Sequence, residues 1–174
     1  MSKAQTNIAL RPREPHDDAA IAAVVTSAFG TEAEARLIES LRRDSDCVCE
    51  HVAVADNSEI VGHVLFSRLD VTAGSQSLKA VALAPLAVRP DLQRQGIGDA
   101  LTRAGLTHCG DRGHELAVVL GHPNYYARFG FSALLAKHLD APYSGEAFMA
   151  LELATGVLGR LKWTVTYPRA FSGL

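Results

Sequence analysis

Two glycines, Gly96 and Gly98, stand at the start of a predicted helix and suit the binding of an anion. They follow an apolar run, a proline and the basic residue Arg94 in the stretch LAPLAVRPDLQRQGIGD. The first turn of a helix has unpaired N–H groups and the positive end of the helix dipole, and both favour phosphate. Glycine also lets the backbone approach such a ligand closely. A turn used only for tight packing could have the same residues, so other motifs must decide between these interpretations.

Two common phosphate-binding motifs are absent from the sequence. The pattern Gly-x-x-x-x-Gly-Lys-Ser/Thr of a P-loop occurs nowhere in the chain. A dinucleotide-binding turn needs a third small residue three positions after Gly98, where Leu101 stands. The sequence therefore gives little support to a P-loop nucleotide or to NAD as the ligand.

A metal site is the obvious alternative use of Cys47, Cys49 and His51, which alternate along the chain. On a strand, alternate residues lie about 6.5 Å apart, whereas zinc ligands converge to about 2.0–2.3 Å from one ion. Three residues in a straight row therefore chelate poorly. With only three cysteines, a disulfide framework is not indicated either. We expect reduced, buried thiols and no metal.

The hydrophobic periodicity predicts one α/β domain with a mixed sheet flanked by helices. The predicted order is β-α-α-β-β-β-α-β-α-β-β. Strands are expected at 8–12, 47–55, 59–71, 78–88, 114–121, 131–136 and 147–154, and helices at 16–30, 31–43, 96–113 and 122–130. Strand 78–88 is apolar on both faces, which is typical of a central strand. Because Pro85 cannot donate to a sheet ladder, we predict a bulge there.

Composition excludes several classes of function. The 174 residues have a formal net charge of −2, and 48% of them are hydrophobic, which does not favour a broad basic face for nucleic acid. No apolar run reaches the roughly 20 residues needed to cross a bilayer. The N-terminus has no signal-peptide pattern. We therefore expect a cytoplasmic protein that binds neither nucleic acid nor membrane.

Two motifs together resemble those of a known family, the GNAT superfamily of N-acetyltransferases. The stretch LAPLAVRPDLQRQGIGDALT is similar to its acetyl-CoA-binding motif, Gln/Arg-x-x-Gly-x-Gly/Ala, and HPNYYARFGF to its second signature, Tyr-x-x-x-Gly-Phe. The order of elements matches over about residues 8–153. PLAV, HPxYYxRFGF and the C-terminal extension most resemble the YhbS-like branch of small bacterial acetyltransferases. A bulged central strand splayed from its neighbour is what this resemblance implies.

The resemblance also implies roles for individual residues. The CoA pyrophosphate would lie on the backbone of one turn, made by Gln93, Arg94, Gln95, Gly96, Ile97, Gly98 and Asp99. The pantetheine arm would pair with the strand residues Leu86, Ala87 and Val88. Tyr126, four positions before Gly130, aligns with the tyrosine that protonates the CoA thiolate, and its neighbour Tyr125 is the alternative.

The general base and the acceptor site are less clearly indicated. His51 is the first choice for the base, with Glu50, His63 and His122 as alternatives. Glu32 and Glu34 lie where the family's acceptor site is expected, but they also suit the start of a helix.

The loop that contains Tyr143 is expected to form a second wall of the acceptor site, opposite Glu32 and Glu34. The extension 154–174 could pair along a sheet edge or form a homodimer.

The sequence thus predicts an acetyl-CoA-dependent N-acetyltransferase that acts on an unidentified small-molecule or peptide amine. The alternative is a non-catalytic module that binds acyl-CoA and serves in regulation or sensing. A third interpretation is an acyltransferase that uses a longer acyl-CoA.

Overall fold

A mixed sheet of eight strands is the centre of the computed structural model, which describes residues 7–174. The strands are β1 (Ile8–Pro12), β2 (Cys47–Ala55), β3 (Ile60–Ala73), β4 (Gln76–Val88), β5 (Leu116–Leu120), β6 (Leu139–Asp140), β7 (Phe148–Glu152) and β8 (Trp163–Thr166). Six follow in the order β1-β2-β3-β4-β5-β7, and β8 pairs with β3 and β6. Only β4–β5 and β6–β8 are parallel pairs. The predicted mixed sheet is confirmed; residues 1–6, where no signal peptide is predicted, lie outside the described residues.

Helices cover both faces of this sheet. The helices are α1 (Asp18–Phe29), α2 (Ala33–Arg43), α3 (Ile97–Asp111), α4 (Pro123–Tyr126) and α5 (Ala133–Ala136), and single 3-10 turns span Pro15–Asp17, Pro90–Leu92, Ala127–Phe129 and Arg169–Gly173. The apolar stripes of α1 and α2 pack on one face, with Ile21 and Leu41 in their cluster. α3 packs on the other face through Ile97 and Leu101. No helix within residues 7–174 is both long enough and apolar enough to span a membrane.

β4 is the strand that shapes the site. Its partners in register are Val64 with Leu86 and Phe66 with Leu83, so two residues of β4 face one of β3. Ala84 and Pro85 therefore form the bulge predicted from the proline. Pairing of β4 with β5 ends at Leu83. Beyond that point the two strands diverge.

The strand predicted at residues 131–136 is wrong. Ala133–Ala136 forms a short helix, and Ser132 makes only an isolated bridge to Ala150. The Ser132 hydroxyl accepts hydrogen bonds from the backbone N–H groups of Leu134 and Leu135 at 3.1 and 3.3 Å, and so caps the helix. Alanine and leucine are strong helix formers, and a short apolar run does not distinguish a strand from a helix.

The C-terminal extension adds β8 beside the C-terminal half of β3. Asp70–Thr72 of β3 pairs with Thr164–Thr166, and Trp163 and Val165 are buried against their own chain. The Trp163 indole N–H donates to the Leu158 carbonyl at 3.0 Å. The extension was predicted either to pair along a sheet edge or to form a homodimer, and the structure shows pairing along an edge of its own sheet.

Candidate active site

A cavity of about 460 Å³ opens where β4 and β5 diverge. Its walls come from five parts of the chain. They are Phe29, Glu34 and Leu37 of α1 and α2, residues 82–86 of β4, residues 118–122 after and within β5, Tyr126 of α4, and Tyr143, Tyr167, Phe171 and Leu174 of the C-terminal part. In β4, Leu86, Ala87 and Val88 pair with β3 on one side, and no strand within residues 7–174 pairs with them on the other. This edge is free to pair with an extended ligand.

Tyr126 lines the cavity and is 9% exposed. α4 begins at Pro123, which suits the first position of a helix. Burial and, to a lesser extent, the neighbouring Tyr125 raise the pKa of the Tyr126 phenol. The hydroxyl is therefore protonated at neutral pH and can donate a proton. A Cβ on Gly121 would overlap the Tyr126 ring, so this glycine leaves room for the tyrosine.

Tyr125 points away from the cavity, towards α3. Its hydroxyl lies 2.7 Å from the position that a Cβ of Gly98 would occupy. The Arg128 guanidinium lies over the Tyr125 ring, 4.4 Å from its centre, and pairs with Asp99 at 3.2 Å. Of the two adjacent tyrosines, only Tyr126 reaches the cavity; Tyr125 joins α4 to the start of α3.

The glycine turn follows β4 directly and has the backbone of an anion site. Arg94 and Gly96 both have positive φ, +61° and +86°, and Gly96 is the N-cap of α3. A side chain at Gly96 would meet no atom within 4 Å, so the turn faces open space. The Gln93 side-chain amide donates to the Val88 carbonyl at 3.0 Å and fixes the turn to the end of β4. Backbone N–H groups arranged in this way suit a phosphate.

The Gln95 and Ile97 side chains serve the fold rather than the open face of the turn. The Gln95 amide donates to the Asp91 carbonyl at 3.3 Å. Ile97 is buried in the core beside α3. Ile97 can therefore offer only its backbone to a ligand, whereas the Gln95 side chain is exposed, and contacts of this turn with CoA stay a prediction.

A family model for the acetyltransferase (GNAT) domain matches residues 9–134. The chain belongs to the GNAT acetyltransferase family. The uncharacterised N-acetyltransferase YhbS of Escherichia coli is 34% identical over 167 residues, which cover 94% of this chain and 98% of YhbS. Another uncharacterised E. coli N-acetyltransferase, YjhQ, is 38% identical over 129 residues, covering 73% of this chain and 71% of YjhQ.

Two solved GNAT structures share the fold over nearly the whole chain. The crystal structure of E. coli YhbS in complex with CoA has a TM-score of 0.88 and 30% identity, covering 99% of this chain and 96% of that one. A GNAT acetyltransferase of Brucella melitensis in complex with acetyl-CoA has a TM-score of 0.77 and 29% identity, covering 95% and 98%. The GNAT fold is thereby confirmed.

Within this GNAT fold, His51 lies away from the cavity. It is on β2, and its ring packs edge-on against His108 of α3 at 5.4 Å between ring centres. Neither histidine is among the residues that line the cavity. Alternation along β2 also places Cys49 on this face, where its sulfur is 3.8 Å from that of Cys109. The structure does not bring His51 to Tyr126, and its role as base has no geometric support.

The three other candidates for the base lie in two places. Glu50 and His63 are buried on the opposite face of the sheet and are 2.7 Å apart, and Glu50 is also held by Arg42. His122 lies at the start of α4, is exposed and lines the cavity. Among these histidines and Glu50, only His122 can reach an amine in the cavity.

The predicted acceptor residues are also separated by the structure. Glu34 and Tyr143 line the cavity, and Glu34 accepts a hydrogen bond from the Thr31 hydroxyl at 2.9 Å. Glu32 is two-thirds exposed, forms an ion pair with Arg36 at 2.6 Å and faces a different groove between α1 and α2. Because Glu32 precedes α2 and Glu34 lies within its first turn, they face different directions.

The sequence analysis did not predict the C-terminal aromatic residues of the site or the glycine beneath Tyr126. Tyr167 and Phe171 form part of the cavity wall, although their segment was interpreted as a sheet edge or a dimer contact. No local pattern places the end of a chain beside α2; only the packing of the turn Arg169–Gly173 against that helix does so. Gly121 has a weak signal, since it follows the apolar run of β5 and precedes His122 and Pro123.

Within residues 7–174, no three His, Cys, Asp or Glu side chains are grouped so that they could hold an ion. Cys47 is half-buried, and Cys49 and Cys109 are buried, all as free thiols.

Proposed function

We propose that this GNAT protein transfers an acetyl group directly from acetyl-CoA to a primary amine. The observation that carries the proposal is that Tyr126 and the bulged, unpaired end of β4 line one cavity, next to the glycine turn at the start of α3. E. coli YhbS and the Brucella enzyme, both similar over the whole chain, are described in complex with CoA and acetyl-CoA.

Two features support CoA as the ligand. The turn made by residues 93–99 would hold the pyrophosphate with backbone N–H groups, and Arg94 would add a positive charge. The pantetheine amides would pair with the free edge of Leu86, Ala87 and Val88, as an added strand would. An acyl group would then extend into the cavity between β4 and β5.

The chemistry needs an oxyanion donor, an acid and a base. The amine nitrogen attacks the thioester carbonyl; an N–C bond forms and the C–S bond breaks. A backbone N–H beside the β4 bulge would donate to the developing oxyanion. His122, in place of His51, would take the proton that the ammonium loses before attack, and Tyr126 would give its phenolic proton to the departing thiolate. The second proton, which the nitrogen loses after the N–C bond forms, would restore the Tyr126 phenol.

The binding step is tested by titrating acetyl-CoA and CoA into the purified protein in a calorimeter. We expect both to bind, and Gly96→Asp to weaken binding about tenfold or more, because a carboxylate beside a phosphate is repelled. Gly113→Asp is the matched control, since Gly113 also has positive φ (+78°) and open space but lies beyond the other end of α3. Absence of binding to folded wild-type protein would disprove the proposal.

The catalytic step is tested by thiol release with a panel of amines. Tyr126→Phe should lower kcat by about 10²–10⁴-fold and leave CoA affinity unchanged, whereas Tyr125→Phe should retain most of the turnover. His122→Ala should lower kcat and leave CoA affinity unchanged, because the proposed base is lost, and His51→Ala, outside the cavity, should change neither. Binding of acetyl-CoA without acetylation of any amine would instead support the non-catalytic acyl-CoA-binding module.

A further inference from the structure

The part of the cavity that lies beyond the β4 bulge has no assigned ligand. Its wall is formed by Phe29, Glu34, Leu37, Tyr143, Tyr167 and Phe171, which we call the acceptor wall. Four of these six side chains are aromatic, and they come from α1, from the loop before β7 and from the C-terminal turn. Such a wall favours an apolar body over a polar one.

The aromatic rings of the acceptor wall hold one another in place. Tyr143 meets Tyr167 edge to face, with 5.1 Å between ring centres, and Tyr167 meets Phe171 at 5.0 Å. Burial raises the pKa of the Tyr167 phenol, which is therefore neutral at neutral pH. Because the rings contact each other, they form a continuous apolar surface that suits a ring or a branched alkyl group.

The charge of the cavity limits the acceptor further. Glu34 is the one acidic side chain among the lining residues within 7–174, and none of these residues is lysine or arginine. One half-buried carboxylate attracts one cation. A ligand with several positive charges would leave all but one without a partner in an apolar cavity, and an anionic ligand would be repelled by Glu34.

We infer that the acceptor is a small primary monoamine whose body is an apolar ring or branched alkyl group. The ammonium is attracted by Glu34, and the body packs on Tyr143, Tyr167 and Phe171. This inference rests on the proposed function, since it names the acceptor of the same site.

The test compares matched amines by thiol release: phenethylamine, ethylamine, spermidine and phenylalanine. Phenethylamine should have a kcat/KM about tenfold or more above each of the others. Ethylamine lacks the ring, spermidine adds positive charges and phenylalanine adds a carboxylate. If spermidine, ethylamine or phenylalanine, or a peptide N-terminus added to the panel, is preferred, the inference is overturned while the transferase function stands.

Variants of the acceptor wall test the carboxylate of Glu34 and the aromatic ring of Tyr143 independently. Glu34→Gln should raise KM for phenethylamine about tenfold with little change in kcat. Glu32→Gln, on the same segment but outside the cavity, is the control and should change neither. Tyr143→Ala should raise KM for phenethylamine but not for ethylamine. An unchanged KM in Glu34→Gln would contradict the inference.

A calorimetric measurement decides the case in which no amine is acetylated. Phenethylamine is titrated into protein saturated with CoA, or into the protein alone if CoA does not bind. Binding that is weakened by Glu34→Gln but not by Glu32→Gln would support the acceptor site while the transferase proposal fails. No binding of phenethylamine in this titration would overturn the inference as well.

Discussion

Tyr125 and Tyr126 contact different parts of the molecule because successive residues of a helix lie about 100° apart. Tyr126 faces the cavity over Gly121, and Tyr125 faces α3 over Gly98. Gly98 therefore has a role that the sequence did not indicate: it makes room for the Tyr125 phenol. Arg128, which lies over the Tyr125 ring and pairs with Asp99, links the helix that holds the proposed acid to the turn that would hold the pyrophosphate.

A first prediction concerns the contact between Gly98 and Tyr125. Gly98→Ala should place a methyl group 2.7 Å from the Tyr125 hydroxyl oxygen and lower the free energy of unfolding by about 1–3 kcal/mol. Tyr125→Phe removes that oxygen, so the double variant should recover most of the loss. Urea unfolding of the two single variants and the double variant measures the coupling. Additive effects would show that the contact is not responsible.

At the scale of elements, α3 packs tightly against the sheet at Gly105. A Cβ there would overlap the ring of Phe66, which is fully buried in β3. Gly110, one and a half turns further along the same helix, would meet no atom within 4 Å. Gly105 is buried in the middle of α3, and Gly110 is exposed in its last turn.

The second prediction compares these two glycines. Gly105→Ala should destabilise the protein by about 1–3 kcal/mol, because the new methyl group forces α3 away from β3. Gly110→Ala should stabilise it by up to about 1 kcal/mol, because it lowers the entropy of the unfolded chain without a clash. Urea unfolding of each variant checks both signs. Equal effects would mean that helix propensity, rather than close packing, governs both positions.

At the scale of the whole molecule, an ionic network joins helices α1 and α2 to strands β2 and β3. Glu50 receives two hydrogen bonds from Arg42, at 2.6 and 2.9 Å, and lies 2.7 Å from Nε2 of His63. Arg42 also pairs with Asp18 at 3.1 Å. The network is buried on the face opposite to α3 and is separate from the cavity.

The third prediction follows from the pKa values of this network. Burial opposes ionisation of Glu50, but His63 and Arg42 outweigh it and lower the pKa to about 2 from 4.5. Its contribution is therefore complete above pH 4.5 and is lost as the pH falls towards 2. Burial lowers the pKa of His63 below 6.5, so protonation of the unfolded chain reduces stability from pH 6.5 downwards. Stability should fall steadily on acidification.

Glu50→Gln tests this prediction by urea unfolding at pH 7, 4.5 and 3. The variant should lose about 1–3 kcal/mol at pH 7, since Arg42 and His63 lose the carboxylate to which they are hydrogen-bonded, while Arg42 keeps its pair with Asp18. Its difference from the wild type should shrink at pH 3. Glu39→Gln, on the exposed side of α2, controls for the removal of a negative charge and should behave as wild type. A difference that is the same at all three pH values would contradict the assignment.

Much of the fold and half of the site follow from local patterns in the sequence. Two motifs place Gly96 and Tyr126 correctly on a turn and a short helix, because their signals depend on a few adjacent residues. The apolar run 131–136 did not reveal its helix, since the cap at Ser132 competes with a strand over so short a segment. His51 was misplaced for another reason: alternation shows which residues share a face, but not which element covers that face.

The sequence by itself determined the family, the mixed sheet, the bulge at Pro85 and the glycine turn. The family was indicated by the resemblance of two motifs, whereas the sheet, the bulge and the turn depend on backbone geometry that an apolar period, a proline or a glycine imposes locally. The tertiary structure alone decided that Glu34 and not Glu32 lines the cavity, that His122 and not His51 lies near Tyr126, and that Tyr167 and Phe171 complete the wall. Residues far apart in the chain meet only when the sheet, α2 and the C-terminal turn pack together, and no local spacing encodes that contact.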